Sequence, residues 1–280
     1  MKIIDAHIHF SKIKAFGDYA KNVSLADYSA EGYKKSADEF NVAASICMGL
    51  VETHPSAFPD KNPKTPMLFD LAENLPAGMK ICAGINPHTL NARAVSELNE
   101  LASAHKIAGF KIYAGYYYFY VYDEIYDPVY DIAMKFDLPV VIHAGETYSK
   151  RGLLEYAHPL HIDRLAVKYP DLKIIICHMG APWVFDACET AGKNENVFLD
   201  LSGLLVGSAE YIKKMSEQKL LTDRYMTPLI LMDNYEKVIY GSDWPLAPFG
   251  EYINFIKKLI PDYAREDVFY NNAAKLFGIH

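Results

Sequence analysis

Two histidines two residues apart, His7 and His9, end the apolar run that opens the chain, Lys2-Ile-Ile-Asp-Ala-His-Ile-His9. Alternate residues of extended backbone share a face, so both imidazoles point the same way. Three more chemistry-bearing residues close apolar runs further along. His143 follows Val140, Val141 and Ile142; His178 follows Ile174, Ile175 and Ile176; Asp243 stands in Tyr240-Gly-Ser-Asp-Trp-Pro245. Lys111 lies near the end of another run, Gly109-Phe-Lys-Ile-Tyr113. A single histidine at a strand end is more often a satisfied structural residue than a ligand, and a lone Lys or Asp can pair within an ion network. Four imidazoles and a carboxylate together are a different matter, because desolvating so many polar groups without a shared partner is costly. A divalent cation is such a partner. Neutral imidazoles with a carboxylate suit Zn²⁺ or a similar ion, with one position left for water.

The elements that must position these residues alternate regularly. Short β-branched or aromatic runs, at Lys2–His9, Val42–Met48, Lys80–Ile85, Gly109–Tyr113, Pro139–His143, Lys173–His178, Val197–Leu201 and Val238–Ser242, read as strands. Between them lie segments of helical period. In Ala92–His105, Val95, Leu98, Leu101 and Ala102 share a face behind an Asn91 N-cap; Pro128–Phe136 and Leu160–Tyr169 are two others. Strand–helix alternation predicts a parallel sheet with right-handed crossovers. Eight such units in 280 residues predict one (β/α)8 barrel over residues 1–280. Chemistry in that fold gathers at the C-terminal ends of the strands, where these polar residues fall. No GxGxxG follows the first strand, which leaves a dinucleotide site unsupported.

Composition narrows the partners. The net charge of −7, with arginine at only five positions, argues against wrapping a nucleic-acid backbone. No apolar stretch approaches the ~20 residues of a membrane span, and the opening residues do not read as a signal peptide. Cys47, Cys82, Cys177 and Cys188 lack CxxC spacing and sit in apolar runs, the pattern of reduced thiols in a cytoplasmic protein.

The ordered series Asp5-Ala-His-Ile-His9, His143, His178 and Asp243 resembles the amidohydrolase superfamily, and within it the amidohydrolase 2 branch of metal-dependent hydrolases and decarboxylases. Phe110-Lys-Ile-Tyr, Val141-Ile-His-Ala-Gly-Glu-Thr, Ile176-Cys-His-Met-Gly, Gly241-Ser-Asp-Trp-Pro and Asn272-Ala-Ala-Lys-Leu-Phe-Gly extend the likeness over residues 2 to 278. The resemblance implies that His7, His9, His143 and Asp243 surround one divalent metal, with zinc the expected ion. It also implies that His178 meets the water or substrate and that Asp243 moves the proton. In some members of the superfamily a strand-four lysine is carboxylated and bridges two ions. Lys111 could do that, with His178 on the second ion, or remain an ammonium for a substrate anion.

The loops beyond the strands carry the remaining candidates. Ala114–Tyr122 holds six aromatics in the seven positions from Tyr116, either as packing or as the wall of a pocket for a flat or cyclic substrate. Tyr113, Glu146, Tyr148 and Arg151 are candidate substrate contacts: Glu146 as an orienting carboxylate, Arg151 as the partner of a substrate carboxylate. His54, His88, His105, His158, His161 and His280 are not expected to be ligands; His158 and His161 read as helix-opening or surface residues. The expected function is hydrolysis of a small cyclic or carboxylate-bearing substrate by a metal-activated water, with non-oxidative decarboxylation of an aromatic or dienoic acid as the alternative. A TatD-type nuclease, which carries Glu where this chain has Lys111, and a non-catalytic acid-binding barrel are weaker readings. A homodimer is compatible with the fold.

Overall fold

The computed structural model describes residues 1–11, 13–49, 51–52, 65–66 and 75–279, so His54 and His280 lie outside the described residues. Eight strands pair in parallel and in chain order: β1 (Ile3–Ile8), β2 (Val42–Met48), β3 (Met79–Ile85), β4 (Gly109–Ile112), β5 (Val140–Ile142), β6 (Ile174–Ile176), β7 (Val197–Asp200) and β8 (Val238–Ile239). The last strand returns to the first. Ala6 N–H donates to Tyr240 O at 2.9 Å, and a parallel bridge joins Ile8 to Trp244. The ring is the expected (β/α)8 barrel. A short antiparallel ladder, Val51–Glu52 with Thr65–Pro66, stands apart from it.

The helices are α1 (Lys14–Tyr19), α2 (Ala30–Phe40), α3 (Ala92–Ser103), α4 (Asp127–Lys135), α5 (Pro159–Lys168), α6 (Val184–Lys193), α7 (Ala209–Ser216), α8 (Lys219–Met232), α9 (Phe249–Leu259) and α10 (Asn272–Phe277). Local chemistry sets their starts. Asn91 Oδ1 accepts from the N–H groups of Arg93 and Ala94, Ser29 Oγ from Gly32, and His158 Nδ1 from Leu160, each satisfying an orphan donor of a first turn. His158 is therefore the capping residue that its position before Pro159 suggested.

Strand alternation divides the apolar residues into two cores. Phe110, Ile112, Val140, Ile142, Ile174, Ile176, Val197 and Leu199 pack outward against the helices. Ile4, Ala6, Ala44, Ile46, Met48, Cys82, Val141, Ile175, Cys177 and Ile239 pack inside the ring, joined by Leu276 and Phe277 of α10. The interior is filled, as a barrel of this size requires. β1 breaks the alternation. Asp5 pairs with Ser45 and Ile8 with Cys47, so three residues of β1 advance against two of β2. Ala6 faces the inner core while Ile8 faces the outer one. The bulge moves the parity by one residue and delivers His7 and His9, rather than Ile8, to the barrel's interior.

Beyond β5, the chain turns at Gly145, whose φ is +99°. A Cβ there would stand 1.9 Å from Ala181 O and 2.9 Å from the Gly180 carbonyl carbon, backbone atoms of the loop after β6. Gly145→Ala therefore combines left-handed strain with a backbone clash. The expected cost is about 3 kcal/mol, read in a thermal melt as a midpoint roughly 6–12 °C lower. An unchanged midpoint would show that the two loops do not meet this closely.

Candidate metal centre

The seam between β1 and β8 builds the centre. Asp5 Oδ1 accepts from His7 N–H at 3.2 Å and from Ser242 N–H at 2.9 Å, tying the first strand to the end of the last. Asp243 N–H donates to His7 O at 2.8 Å, and His9 N–H to Trp244 O at 2.6 Å. Asp243 itself takes φ +65°, uncommon for a residue with a side chain, and β8 stops at Ile239, sooner than the sequence pattern implied. Its carboxylate then meets both imidazoles: Oδ1 lies 3.6 Å from His7 Nε2 and 3.1 Å from His9 Nε2.

On the far side of His7, Nδ1 faces Asp200 Oδ2 at 2.5 Å. An ionised carboxylate only accepts, so Nδ1 carries the hydrogen and Nε2 of the neutral ring carries a lone pair. Burial, followed by the charge of Lys111, holds the His7 pKa well below the usual histidine range, so the ring is neutral at physiological pH. His7 Nε2 and Asp243 Oδ1 are both buried without a hydrogen-bond partner; the 3.1 Å approach from His9 is out of line for one. Two acceptors thus face each other inside the protein. Neighbouring donors on one cation at ~2.1 Å stand roughly 3.0–3.5 Å apart, close to the separations found here. The donor atoms of His7, His9 and Asp243 all lie within 4.8 Å of one another. The residues fit a divalent cation.

His143 and His178 complete the ring of imidazoles, with centroids 4.9 Å apart and His178 5.0 Å from His7. His178 takes φ +57°, which turns its ring toward β7 although Cys177, the residue before it, faces the same interior. Its Nδ1 lies 3.1 Å from Ser202 O. His143 Nε2 lies 3.0 Å from Glu146 O. A carbonyl only accepts, so His178 presents Nε2 as its lone-pair nitrogen and His143 presents Nδ1. Burial lowers both pKa values, and each ring is neutral. His143 belongs to neither compact donor group of the described residues; the second such group is His7, Cys177 and His178.

Burial alone pushes the Asp243 pKa up, but the close approach of His9 and the neighbouring rings of His178 and His7 outweigh that and hold the carboxyl well below the usual range. Burial pushes Asp200 up to about 6 and Asp5 up to about 7, against the hydrogen bonds each accepts.

The other sequence candidates are placed as follows. Lys111 is buried inside the barrel, where its Nζ lies 2.7 Å from Cys177 Sγ and 5.2 Å from the Tyr113 ring centre. The Tyr113 hydroxyl donates to Gly49 O at 3.0 Å. Glu146 acts at His143 through its backbone carbonyl, while its side chain is exposed. Tyr148 is exposed at the rim, edge-on to Tyr19, and Arg151 is exposed, with its carbonyl accepting from the Tyr118 hydroxyl. Of the aromatic segment, Tyr116 reaches the centre, edge-on to His143 at 4.9 Å. Tyr118 and Tyr120 instead stack on Tyr156, and Tyr120 also meets Tyr122 and His161, which is the packing alternative. Phe16, stacked on His9 at 4.5 Å, was not among the candidates. Neither were Asp200 and Ser202. Their signal was present: Asp200 ends a buried apolar strand just as His143 and His178 do.

Comparison with known proteins bears on the family and the fold. The family model described as amidohydrolase matches residues 4–279. No curated protein matches the chain in sequence. Among solved structures, a TIM-barrel protein of Bordetella bronchiseptica superposes with a TM-score of 0.73 at 19% identity, over 100% of this chain and 99% of its own. A probable 2-pyrone-4,6-dicarboxylic acid hydrolase of Acinetobacter baumannii gives 0.64 at 17% identity, over 99% and 100%. A dihydroxybenzoic acid decarboxylase of a Polaromonas species, with bound manganese and the inhibitor 2-nitroresorcinol, gives 0.66 at 16%, over 99% and 97%. With the family model matched along nearly its whole length, the chain belongs to the amidohydrolase family.

Proposed function

We propose that the protein is a metal-dependent hydrolase of a small cyclic ester or amide bearing a carboxylate. The observation that carries this reading is the geometry of the centre. The Asp243 carboxylate faces His7 and His9, and His178 Nδ1 faces the Ser202 carbonyl and so leaves Nε2 bare, which sets two proton acceptors side by side, as activation of water requires. His7, His9 and Asp243 would hold the cation, with His143 offering Nδ1 as a further donor. When bound, a divalent ion supplies a Lewis acid that polarises a substrate oxygen and eases the ionisation of water. Asp243 takes the proton from water and returns it to the leaving group. His178 Nε2, whose ring is fixed from behind by Ser202, accepts a hydrogen bond from the attacking water.

The rim selects the substrate. Phe16 and Tyr19 of α1, Tyr116 after β4 and Tyr148 after β5 surround the opening, and the Tyr19 and Tyr116 hydroxyls both feel the charge of Asp243. Flat faces with phenolic edges suit a planar ring. The same rim favours a second reading, decarboxylation of a hydroxylated aromatic acid, the substrate type named for the Polaromonas protein. That reaction must deliver a proton to carbon, which Asp243 or His178 would first have to take from a substrate hydroxyl, whereas hydrolysis draws it directly from water. Hydrolysis is therefore the first choice.

Two measurements test these assignments. Mn²⁺ or Zn²⁺ at about 100 times its dissociation constant stabilises the protein by about 2.7 kcal/mol, a rise of roughly 5–11 °C in melting midpoint. His7→Ala abolishes the rise; an equal rise in that variant would remove the centre from this seam. For the metal-loaded protein, pyrone carboxylates and hydroxybenzoates are offered side by side. Ring-opened acid is expected from the first and no CO₂ from the second, and Asp243→Asn lowers turnover by roughly 10²–10⁴-fold. CO₂ release with intact lactone would select decarboxylation.

A further inference from the structure

One carboxylate and one hydroxyl stand behind two of the imidazoles at once. Asp200 Oδ1 accepts from Ser202 N–H at 2.8 Å, and Oδ2 accepts from Ser202 Oγ–H at 2.8 Å and from His7 Nδ1 at 2.5 Å. With its hydrogen committed to Asp200, Ser202 Oγ turns its lone pairs to His7 Nδ1 and His178 Nδ1, each at 3.0 Å. Every hydrogen in this cluster has an acceptor, and with the Ser202 hydroxyl on Asp200 an Nε2–H form of either ring would set its bare Nδ1 against lone pairs.

The surroundings are built for the cluster. Tyr252 donates to Leu201 O at 2.6 Å and accepts from Leu204 N–H at 2.9 Å, while Tyr225 donates to Leu204 O at 3.1 Å, fixing the loop that carries Ser202. Gly241 leaves the space: a Cβ there would stand 2.5 Å from Asp200 Oδ1, 2.8 Å from His7 Cβ and 3.0 Å from Ser202 Cβ. Asp200, Ser202 and His7 are each 1% exposed or less.

We propose that Asp200 and Ser202 are positioning residues that hold His7 and His178 in the same Nδ1–H tautomer, so that one device sets both a cation ligand and a proton acceptor. The cation half of this statement rests on the metal centre proposed above; the tautomer half does not. Asp200→Asn is the informative change. Ser202 N–H keeps the amide oxygen at the Oδ1 position, so the amide NH₂ faces His7 Nδ1 as a donor and drives the ring's hydrogen to Nε2. The side chain keeps its size and the lone pair leaves the centre, as when an orienting aspartate behind a catalytic histidine is replaced.

The test uses metal-free full-length protein with ¹⁵N-labelled histidine. Long-range proton–nitrogen NMR spectra distinguish the tautomers directly, and Mn²⁺ titration gives the affinity. Wild type is expected to show protonated Nδ1 and bare Nε2 for both rings. Asp200→Asn inverts His7 and weakens Mn²⁺ by about 10–100-fold. Ser202→Ala leaves His7 on Asp200 and removes one of the two acceptors of His178 Nδ1, keeping the carbonyl at 3.1 Å, so the His178 signature broadens, and Ser202→Thr, which keeps the hydroxyl, restores it. An unchanged His178 signature in Ser202→Ala assigns that ring to the carbonyl and overturns the shared device. This second pair serves if the asparagine variant does not fold. An Nε2–H signature in either wild-type ring overturns the proposal, as does an Asp200→Asn protein with unchanged tautomers and affinity. The Nδ1–H signatures in a protein that binds no cation support it, and then the metal reading alone falls.

Discussion

Closure of the barrel is the constraint on which the centre depends. His7 and His9 come from the first strand and Asp243 from just beyond the last, so no local preference brings them together; the ring must close. Asp5 makes the closure specific, because one carboxylate oxygen holds N–H groups from both strands. The reciprocal pair of backbone bonds, Asp243 to His7 and His9 to Trp244, then sets the spacing of the side chains. Loosening this seam would separate two acceptors that have no partner except each other and whatever lies between them.

That arrangement also fixes the electrostatics. Burying several imidazoles lowers their pKa values because the charged form is the one that desolvation penalises. The same burial raises a carboxyl, yet Asp243 remains ionised because three rings surround it. Desolvation and the neighbouring groups therefore act in opposite directions on Asp243, while burial leads for His7, His143 and His178. Asp5 and Asp200, nearby but dominated by burial, are pushed upward instead. Lys111 lies inside the barrel with its nitrogen directed at the Cys177 sulfur, which sits in the inner core one residue before His178.

Much of this was legible before any coordinates. The strands were marked by β-branched runs, and each predicted ligand or proton carrier fell where such a run stopped. The bulge in β1 was not legible, because alternation alone gives His7 and His9 a common face without saying which face. Asp200 was overlooked because a lone Asp after an apolar run also reads as a turn residue. Its role appears only once His7, almost two hundred positions earlier, stands against it. The tyrosine-rich segment left packing and a substrate wall both open, and tight spacing sends successive rings to different sides. Tyr116 reaches His143, Tyr117 and Phe119 lie edge-on to His88, and Tyr118, Tyr120 and Tyr122 pack on one another and on Tyr156.

The division of labour that follows is a physical one. The seam is made of backbone bonds and buried carboxylates, which tolerate little displacement, since each buried polar atom left unpaired costs on the order of 1–3 kcal/mol. The rim is made of side chains from separate loops, with Tyr148 largely exposed and Tyr19 meeting it only edge-on. Substitutions at the rim leave the donors beneath in place. Substitutions at the seam remove the donors themselves. A barrel of this design can therefore change its substrate through a few aromatic positions while its proton-accepting centre stays fixed.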